Sequence, residues 1–194
     1  MRRFVFAAAV VGAGACLPSP KPVTIDYLVL ASRAPAAQPG APTATLGISR
    51  VSLPGYLDRG EVATRTGTKI TYSPTERWAE PLAESVPRLL TEDLAAALAP
   101  SQIAVSSRSA GDLALVVDVE RFERDGNGSC VLDARYSLRD VPSDRIVKTG
   151  AARYEETPSA RTGDATAAAL AKALARLAGD VVSGVGEVRA ATAR

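Results

Sequence analysis

The sequence contains no histidine, and this absence excludes several kinds of chemistry. Without histidine there is no Ser-His-Asp or Cys-His catalysis and no imidazole to act as a general base or a metal ligand. Cysteine is nearly absent too, since Cys16 and Cys130 are the only two, which is too few for a thiolate metal site. No phosphate-binding glycine loop is present. We therefore expect a protein that is not an enzyme and that holds no cofactor or metal.

The sequence also has no large excess of positive or of negative residues. The chain has 23 Lys and Arg against 21 Asp and Glu, and removal of Arg2 and Arg3 with an N-terminal leader would leave 21 of each. A neutral chain makes no strong positive field. We therefore expect no nucleic acid among the partners.

No apolar run is long enough to span a membrane. The only candidate, residues 4–15, would form a helix of about 18 Å, whereas the hydrocarbon core is about 30 Å thick. It follows Arg2 and Arg3 and ends in small residues, which is typical of a secretion signal. We predict that residues 1–15 are a signal peptide.

The residue that follows the leader is Cys16, and Ala13-Gly14-Ala15-Cys16 resembles the lipobox of bacterial lipoproteins. In that case Cys16 is the lipid attachment site, and its acyl chains hold the protein on a membrane. An ordinary secretory cleavage would instead leave Cys16 as a plain thiol. Leu17, where Asp would retain a lipoprotein at the inner membrane, favours the periplasmic face of the outer membrane of a Gram-negative bacterium.

The rest of the chain divides into a tether and one domain. Residues 16–23 combine the lipidated Cys with a proline-rich segment whose extended reach is about 20 Å. Residues 24–194 are long enough for one domain with its own core. With Cys16 acylated, Cys130 would have no partner, and we expect it to be a small buried residue on a strand.

Hydrophobic periodicity predicts the elements of this domain. Strands are expected over residues 25–30 and 45–53, a hairpin over 61–65 and 69–72, and a meander over 112–122, 129–138 and 145–155. Helices are expected after Glu80-Pro81 and over 163–185; Pro87 either lies in the first turn of a helix that begins near Ser85 or kinks it. The fold class is α+β, an antiparallel-dominated sheet with two amphipathic helices packed on one face.

Two loops beside the first helix combine aromatic and arginine side chains, which carry much of the energy of protein interfaces. We take seven of their residues as partner-binding candidates: Tyr56, Leu57, Asp58, Arg59, Arg77, Trp78 and Glu80. In a second interpretation, Tyr56 and Trp78 cover the core. The two are compatible, because Arg59 and Arg77 can still face outward.

These same loops carry a family resemblance. Val51-Ser52-Leu53-Pro54-Gly55-Tyr56-Leu57-Asp58-Arg59, followed by Arg77-Trp78-Ala79-Glu80-Pro81-Leu82, resembles the ABC-type transport auxiliary lipoproteins, the PqiC/YmbA-like group. Tyr27–Leu30, Leu89–Leu94, Val119–Phe122 and Val131–Arg135 extend the match over most of the mature chain.

The resemblance implies a non-catalytic role in lipid transport. Such lipoproteins look like outer-membrane partners of mammalian-cell-entry (MCE) proteins, which cross the periplasm above an ABC permease and ATPase. The lipoprotein would dock the far end of the MCE protein to the outer membrane, either alone or in a homo-oligomeric ring, and would support envelope integrity.

Two other functions are weighed against this one. A periplasmic lipid carrier would need an apolar cavity of several hundred Å³ between sheet and helices. A hydrolase is disfavoured, because the sequence has neither histidine nor a G-x-S-x-G motif.

Overall fold

The computed structural model describes residues 23–32, 41–107 and 111–192; the predicted signal peptide, Cys16 and most of the tether lie outside these ranges. The described residues form eight strands and two α-helices. The strands are β1 Asp26–Leu28, β2 Ala44–Ser52, β3 Glu61–Thr66, β4 Lys69–Trp78, β5 Ile103–Ser106, β6 Leu113–Asp125, β7 Cys130–Asp140 and β8 Arg145–Glu156. The helices are α1 Leu82–Leu98 and α2 Gly163–Thr192.

The predicted local pairings are confirmed. β3 and β4 form an antiparallel hairpin, and β6, β7 and β8 form an antiparallel meander. The turn between β6 and β7 contains Gly128 at a φ of 95°, a backbone conformation that glycine adopts without strain. Each of these pairings joins two consecutive strands through a short turn. Such hairpins can be predicted from the turn residues and from the alternation of the flanking strands.

The prediction of an antiparallel-dominated sheet is wrong, because the sheet is mixed. Four of the seven strand pairings among the described residues are parallel: β1 with β4, β2 with β5, β2 with β6 and β3 with β6. β7 occupies one edge of β6, so β2 and β3 share the other edge, one after the other. Alternation identifies a strand but not its partner, and these partners are distant in sequence.

The two helices pack against each other and against the sheet. α1 contacts β2 and β5, whereas α2 contacts β7 and β8. α1 begins at Leu82, so Pro87 lies inside the helix and not in its first turn, and the Thr91 hydroxyl donates to the Pro87 carbonyl at 2.7 Å. The apolar stripe of α1 is buried as expected, and the helices contribute much of one continuous core.

Cys130 is a free cysteine with no exposed surface, as the sequence predicted. It begins β7, and its Sγ lies 3.8 Å from the carbonyl oxygen of Thr166 in α2. Burial raises the pKa of the thiol to about 11. Cys130 therefore behaves as a small apolar side chain and not as a nucleophile.

Candidate functional site

The predicted site lies beside β6, between the stretch of β6 that pairs with β2 and the stretch that pairs with β3. β2 ends at Ser52 and β3 begins at Glu61, so residues 53–60 bridge a gap along one strand edge. A 3₁₀ turn at Gly55–Leu57 forms there, with the Leu57 amide donating to the Pro54 carbonyl at 2.9 Å. The turn buries Leu57 and leaves Asp58 and Arg59 exposed.

Tyr56 points from this turn to a buried carboxylate, Glu123, near the end of β6. The Tyr56 hydroxyl donates to Glu123, and the Nε atoms of Arg65 and Arg121 each lie 2.7 Å from Glu123 Oε1. The Phe122 amide donates to Oε2 at 3.0 Å. We call Tyr56, Arg65, Arg121 and Glu123 the Glu123 cluster. It ties the turn to β3 and β6.

The hydrogen bonds of the cluster keep Glu123 ionised although its side chain has no exposed surface. Burial alone would raise the pKa of Glu123, but the hydrogen bonds from Arg65, Tyr56 and Arg121 outweigh it and lower the pKa below its usual range. Burial, followed by the bond to Glu123, raises the pKa of Tyr56 to about 12. Tyr56 is therefore a neutral phenol and Glu123 a carboxylate whose hydrogen bonds are satisfied. Both groups stabilise the fold, and neither is poised for proton transfer.

Arg59 and Arg77 converge on Glu61 at the surface. Arg59 Nε lies 3.7 Å from one carboxylate oxygen of Glu61, and Arg77 Nη2 lies 3.6 Å from the other. The guanidinium of Arg59 also stacks 4.4 Å from the centre of the Tyr72 ring. We call Arg59 and Arg77, which share the Glu61 carboxylate, the arginine pair. The carboxylate and the ring hold two guanidinium groups in place while leaving donors free for a partner.

Trp78 and Glu80 do not join this surface. Trp78 is 7% exposed and belongs to the core. Glu80 forms an ion pair with Arg88 of α1 and so lies beside the start of that helix. The seven candidates therefore fall into four groups. Leu57 and Trp78 fold the domain, and Tyr56 joins the Glu123 cluster. Glu80 pairs with Arg88, and Asp58, Arg59 and Arg77 are accessible.

The sequence model of the family described as ABC-type transport auxiliary lipoprotein component matches residues 27–182. This range includes both halves of the site and most of the folded domain. The chain belongs to this family. The resemblance drawn from the two loop motifs is thereby confirmed, and with it the assignment of the chain as an auxiliary lipoprotein of transport.

Solved structures agree on the fold of this lipoprotein. A crystal structure of an uncharacterized protein matches with a TM-score of 0.71 and 20% identity, covering 84% of this chain and 99% of the other. A protein of the DUF330 family from Xanthomonas campestris matches with a TM-score of 0.69 and 21% identity, covering 86% and 98%. At these identities the likeness concerns the fold alone. No curated protein matches the chain.

Sequence reasoning missed Glu123, Arg65, Arg121 and Glu61. The predicted strand ended at Phe122, one residue before Glu123. β6 contains an irregularity between Val119 and Arg121, which shifts the alternation by one residue. Phe122 then enters the core, and Glu123, on the opposite face, is buried among its hydrogen-bonding partners. The only signal in the sequence is a carboxylate, Glu123, four residues after Val119, where the apolar alternation ends.

Away from these groups, the lipoprotein has an apolar cavity of about 320 Å³ beside the C-terminal part of α2. Its walls include Ile103, Leu113, Val185 and Val188, with Arg189 at the rim. Within the described ranges, no three His, Cys, Asp or Glu side chains are grouped so as to hold a metal ion. None of the helices in those ranges is long and apolar enough to cross a membrane.

Proposed function

We propose that this lipoprotein is a non-catalytic adaptor that docks a periplasm-spanning MCE protein of an ABC-type lipid transport system to the outer membrane. Lipidated Cys16 anchors the domain on the periplasmic face, and the accessible part of the site contacts the MCE protein. In this role the protein supports envelope integrity, either alone or as a homo-oligomeric ring. The family match over residues 27–182 carries the proposal.

The geometry of the site supports binding rather than catalysis. The buried carboxylate of the site, Glu123, is held by Arg65 and Arg121, so it is not poised for proton transfer. The accessible groups, Asp58 and Arg59, sit on a turn fixed by buried Leu57 and by Tyr56. A charged pair on a rigid turn favours recognition of a complementary polar surface.

The proposal is tested by capture of partners from envelope extracts. Wild-type lipoprotein is expected to recover an MCE protein, whereas R59E recovers about tenfold less or worse, because the reversed charge faces the partner's own acidic groups. R145E is the matched control: Arg145 is exposed at the start of β8 and receives the same substitution. Equal capture by R59E and wild type excludes this surface, and absence of any MCE protein from the wild-type sample refutes the adaptor role.

Anchoring has its own measurement. The intact mass of the mature protein from its native host is expected to exceed that of the polypeptide from Cys16 onward by at least a diacylglycerol. A mature chain with an unmodified Cys16 would contradict the anchor while leaving the capture result to stand on its own.

The apolar cavity favours a second candidate function, a periplasmic lipid carrier. A volume of about 320 Å³ lies at the lower limit of small-molecule sites. A carrier should retain lipid in native mass spectra, and V188W, which places an indole in the cavity wall, should lose it. Wild-type protein that carries no lipid excludes this alternative.

A further inference from the structure

In residues 23–30, which include β1, every second residue from Val23 to Val29 is a large apolar side chain that is exposed. Val23, Ile25, Tyr27 and Val29 are 68%, 37%, 65% and 57% exposed. Successive side chains of an extended segment point to opposite faces, so these four share one face. Leu28 and Leu30, on the other face, are 3% and 1% exposed and enter the core. We call Val23, Ile25, Tyr27 and Val29 the β1 stripe.

The β1 stripe is unusual within the molecule. The described residues include seven exposed large apolar side chains, and four of them form this stripe; the other three are Val141, Ile146 and Val147 around the β7–β8 turn. Single exposed apolar side chains need no explanation, but a contiguous row on an edge strand marks a contact surface. β1 pairs only with β4 among the described strands, so its outer edge is open.

Basic groups flank the stripe. Tyr27 is in register with Arg77 of β4, and Arg77 is in register with Glu61 of β3, so the three side chains form a row on the same face. The arginine pair contributes two positive charges against the single negative charge of Glu61. An apolar stripe with an aromatic ring and adjacent arginines matches the interfacial zone of a bilayer, where Tyr lies at the headgroups and Arg meets phosphates.

The chain that precedes the stripe brings it to a membrane. Val23 is seven residues after Cys16, and an extended tether of that length reaches about 20 Å. The most exposed member of the stripe is therefore the one nearest to the predicted lipid. No other exposed apolar row among the described residues lies so close in sequence to the anchor.

We propose that the β1 stripe inserts into the headgroup region of the membrane that holds lipidated Cys16, so that the domain stands with β1 against the bilayer. The inference rests on the lipid anchor of the proposed function. In this orientation Arg77, on the strand next to β1, lies at the phosphates, whereas Arg59 lies beside β3, which is two strand spacings or about 10 Å from β1. Asp58 and Arg59 thus stay free for a protein partner.

The test uses full-length lipidated protein in vesicles of phosphatidylethanolamine and phosphatidylglycerol. Ile25→Cys and Tyr27→Cys are labelled with bimane, a fluorophore, and quenched by lipid that carries a nitroxide near the head of the acyl chain. The background is silent, because Cys16 is a thioether and Cys130 has no exposed surface. Ile146→Cys is the matched control, since Ile146 is 64% exposed on the distant strand β8.

We expect labels at residues 25 and 27 to be quenched several-fold more strongly by nitroxide lipid than the label at residue 146, and to be protected from aqueous iodide. Labels at 25 and 27 that respond only to iodide overturn the inference. Labels shielded from both quenchers also overturn it, because a protein or a second copy of this chain then covers the stripe. An unmodified Cys16 would overturn it as well.

Failure here and failure of the adaptor role are distinguishable. Capture of an MCE protein from envelope extracts by the same Tyr27→Cys protein reports on the adaptor alone. Normal capture with unquenched labels removes the membrane orientation and keeps the adaptor. If wild type captures no MCE protein but the labels are quenched by nitroxide lipid, the adaptor role is removed and the membrane orientation is kept.

Discussion

At the scale of single residues, Glu123 decides how the candidate site is held. One buried carboxylate accepts from a tyrosine hydroxyl on a turn, from two arginines on different strands and from a backbone amide. A charge in that position is tolerated only because every partner is present. The turn that exposes Asp58 and Arg59 therefore depends on a residue remote from it in sequence.

Replacement of Glu123 should be costly at neutral pH. We expect E123Q to lower the free energy of unfolding by about 3 kcal/mol, because it removes the negative partner of two half-buried arginines. Y56F, which deletes one hydrogen bond, should cost about 1–2 kcal/mol. Urea unfolding measures both. E120Q is the control, since Glu120 is half exposed and pairs with Arg135 only at the surface; a loss as large as that of E123Q would contradict the assignment.

The same carboxylate predicts a pH dependence. The pKa of Glu123 is lower in the folded than in the unfolded state, so its stabilising contribution is present above the ordinary Glu pKa and is lost as the pH falls toward the folded value. Wild type should lose more stability than E123Q between about pH 6 and pH 3. Parallel stability curves for the two proteins would show that folding does not lower the pKa of Glu123.

At the scale of elements, the helices, the hairpin and the meander could be predicted because their signals are local. Leu82 to Leu98 repeat at helical spacing, and the meander strands are joined by short turns. β5 at Ile103–Ser106 was missed, because four residues are too few to show a period. α2 runs to Thr192, beyond the predicted end at Val185. Beyond Val185, Glu187 forms an ion pair with Lys148 of β8, and Val188 packs against the core.

The site was only half predictable for the same reason. The motif residues were found from their types, but neither their division between core and surface nor the Glu123 cluster could be read from the sequence. That division depends on β2 and β3 sharing one edge of β6 and on the irregularity beside Glu120. Both are contacts between distant parts of the chain. The β1 stripe was likewise recorded only as a strand.

Two glycines of α2 differ in their surroundings, and this difference predicts how alanine substitutions change the stability of the protein. Gly179 is exposed, and a Cβ there would meet nothing within 4 Å, so G179A should stabilise the protein by about 0.5–1 kcal/mol. A Cβ on buried Gly184 would lie 3.3 Å from the Tyr136 hydroxyl, so G184A should not share this gain. Thermal unfolding compares the two variants. An equal gain in both would show that α2 does not pack on Tyr136 as described.

At the scale of the whole molecule, Cys130 reports on global unfolding. It lies in β7, which pairs with β6 on one side and β8 on the other, and it has no exposed surface. Since global unfolding of a domain costs about 5–15 kcal/mol, its thiol should react with a soluble disulfide reagent at least about a thousandfold more slowly in the native protein than in urea. Fast native reaction of lipidated protein would place Cys130 in a locally opening segment.

The shared edge of β6 also governs the order in which the chain can fold. Leu46 pairs with Leu113 and Thr64 with Arg124, so β2 and β3 can join into one sheet only after β6 is available. Before that point the β3–β4 hairpin can form, and β2 has only the short strand β5 to pair with. Contacts so distant along the chain make assembly slow. A polypeptide that stays open until its middle strand arrives would suit the export that we propose for this lipoprotein, because a secretion channel admits unfolded chains.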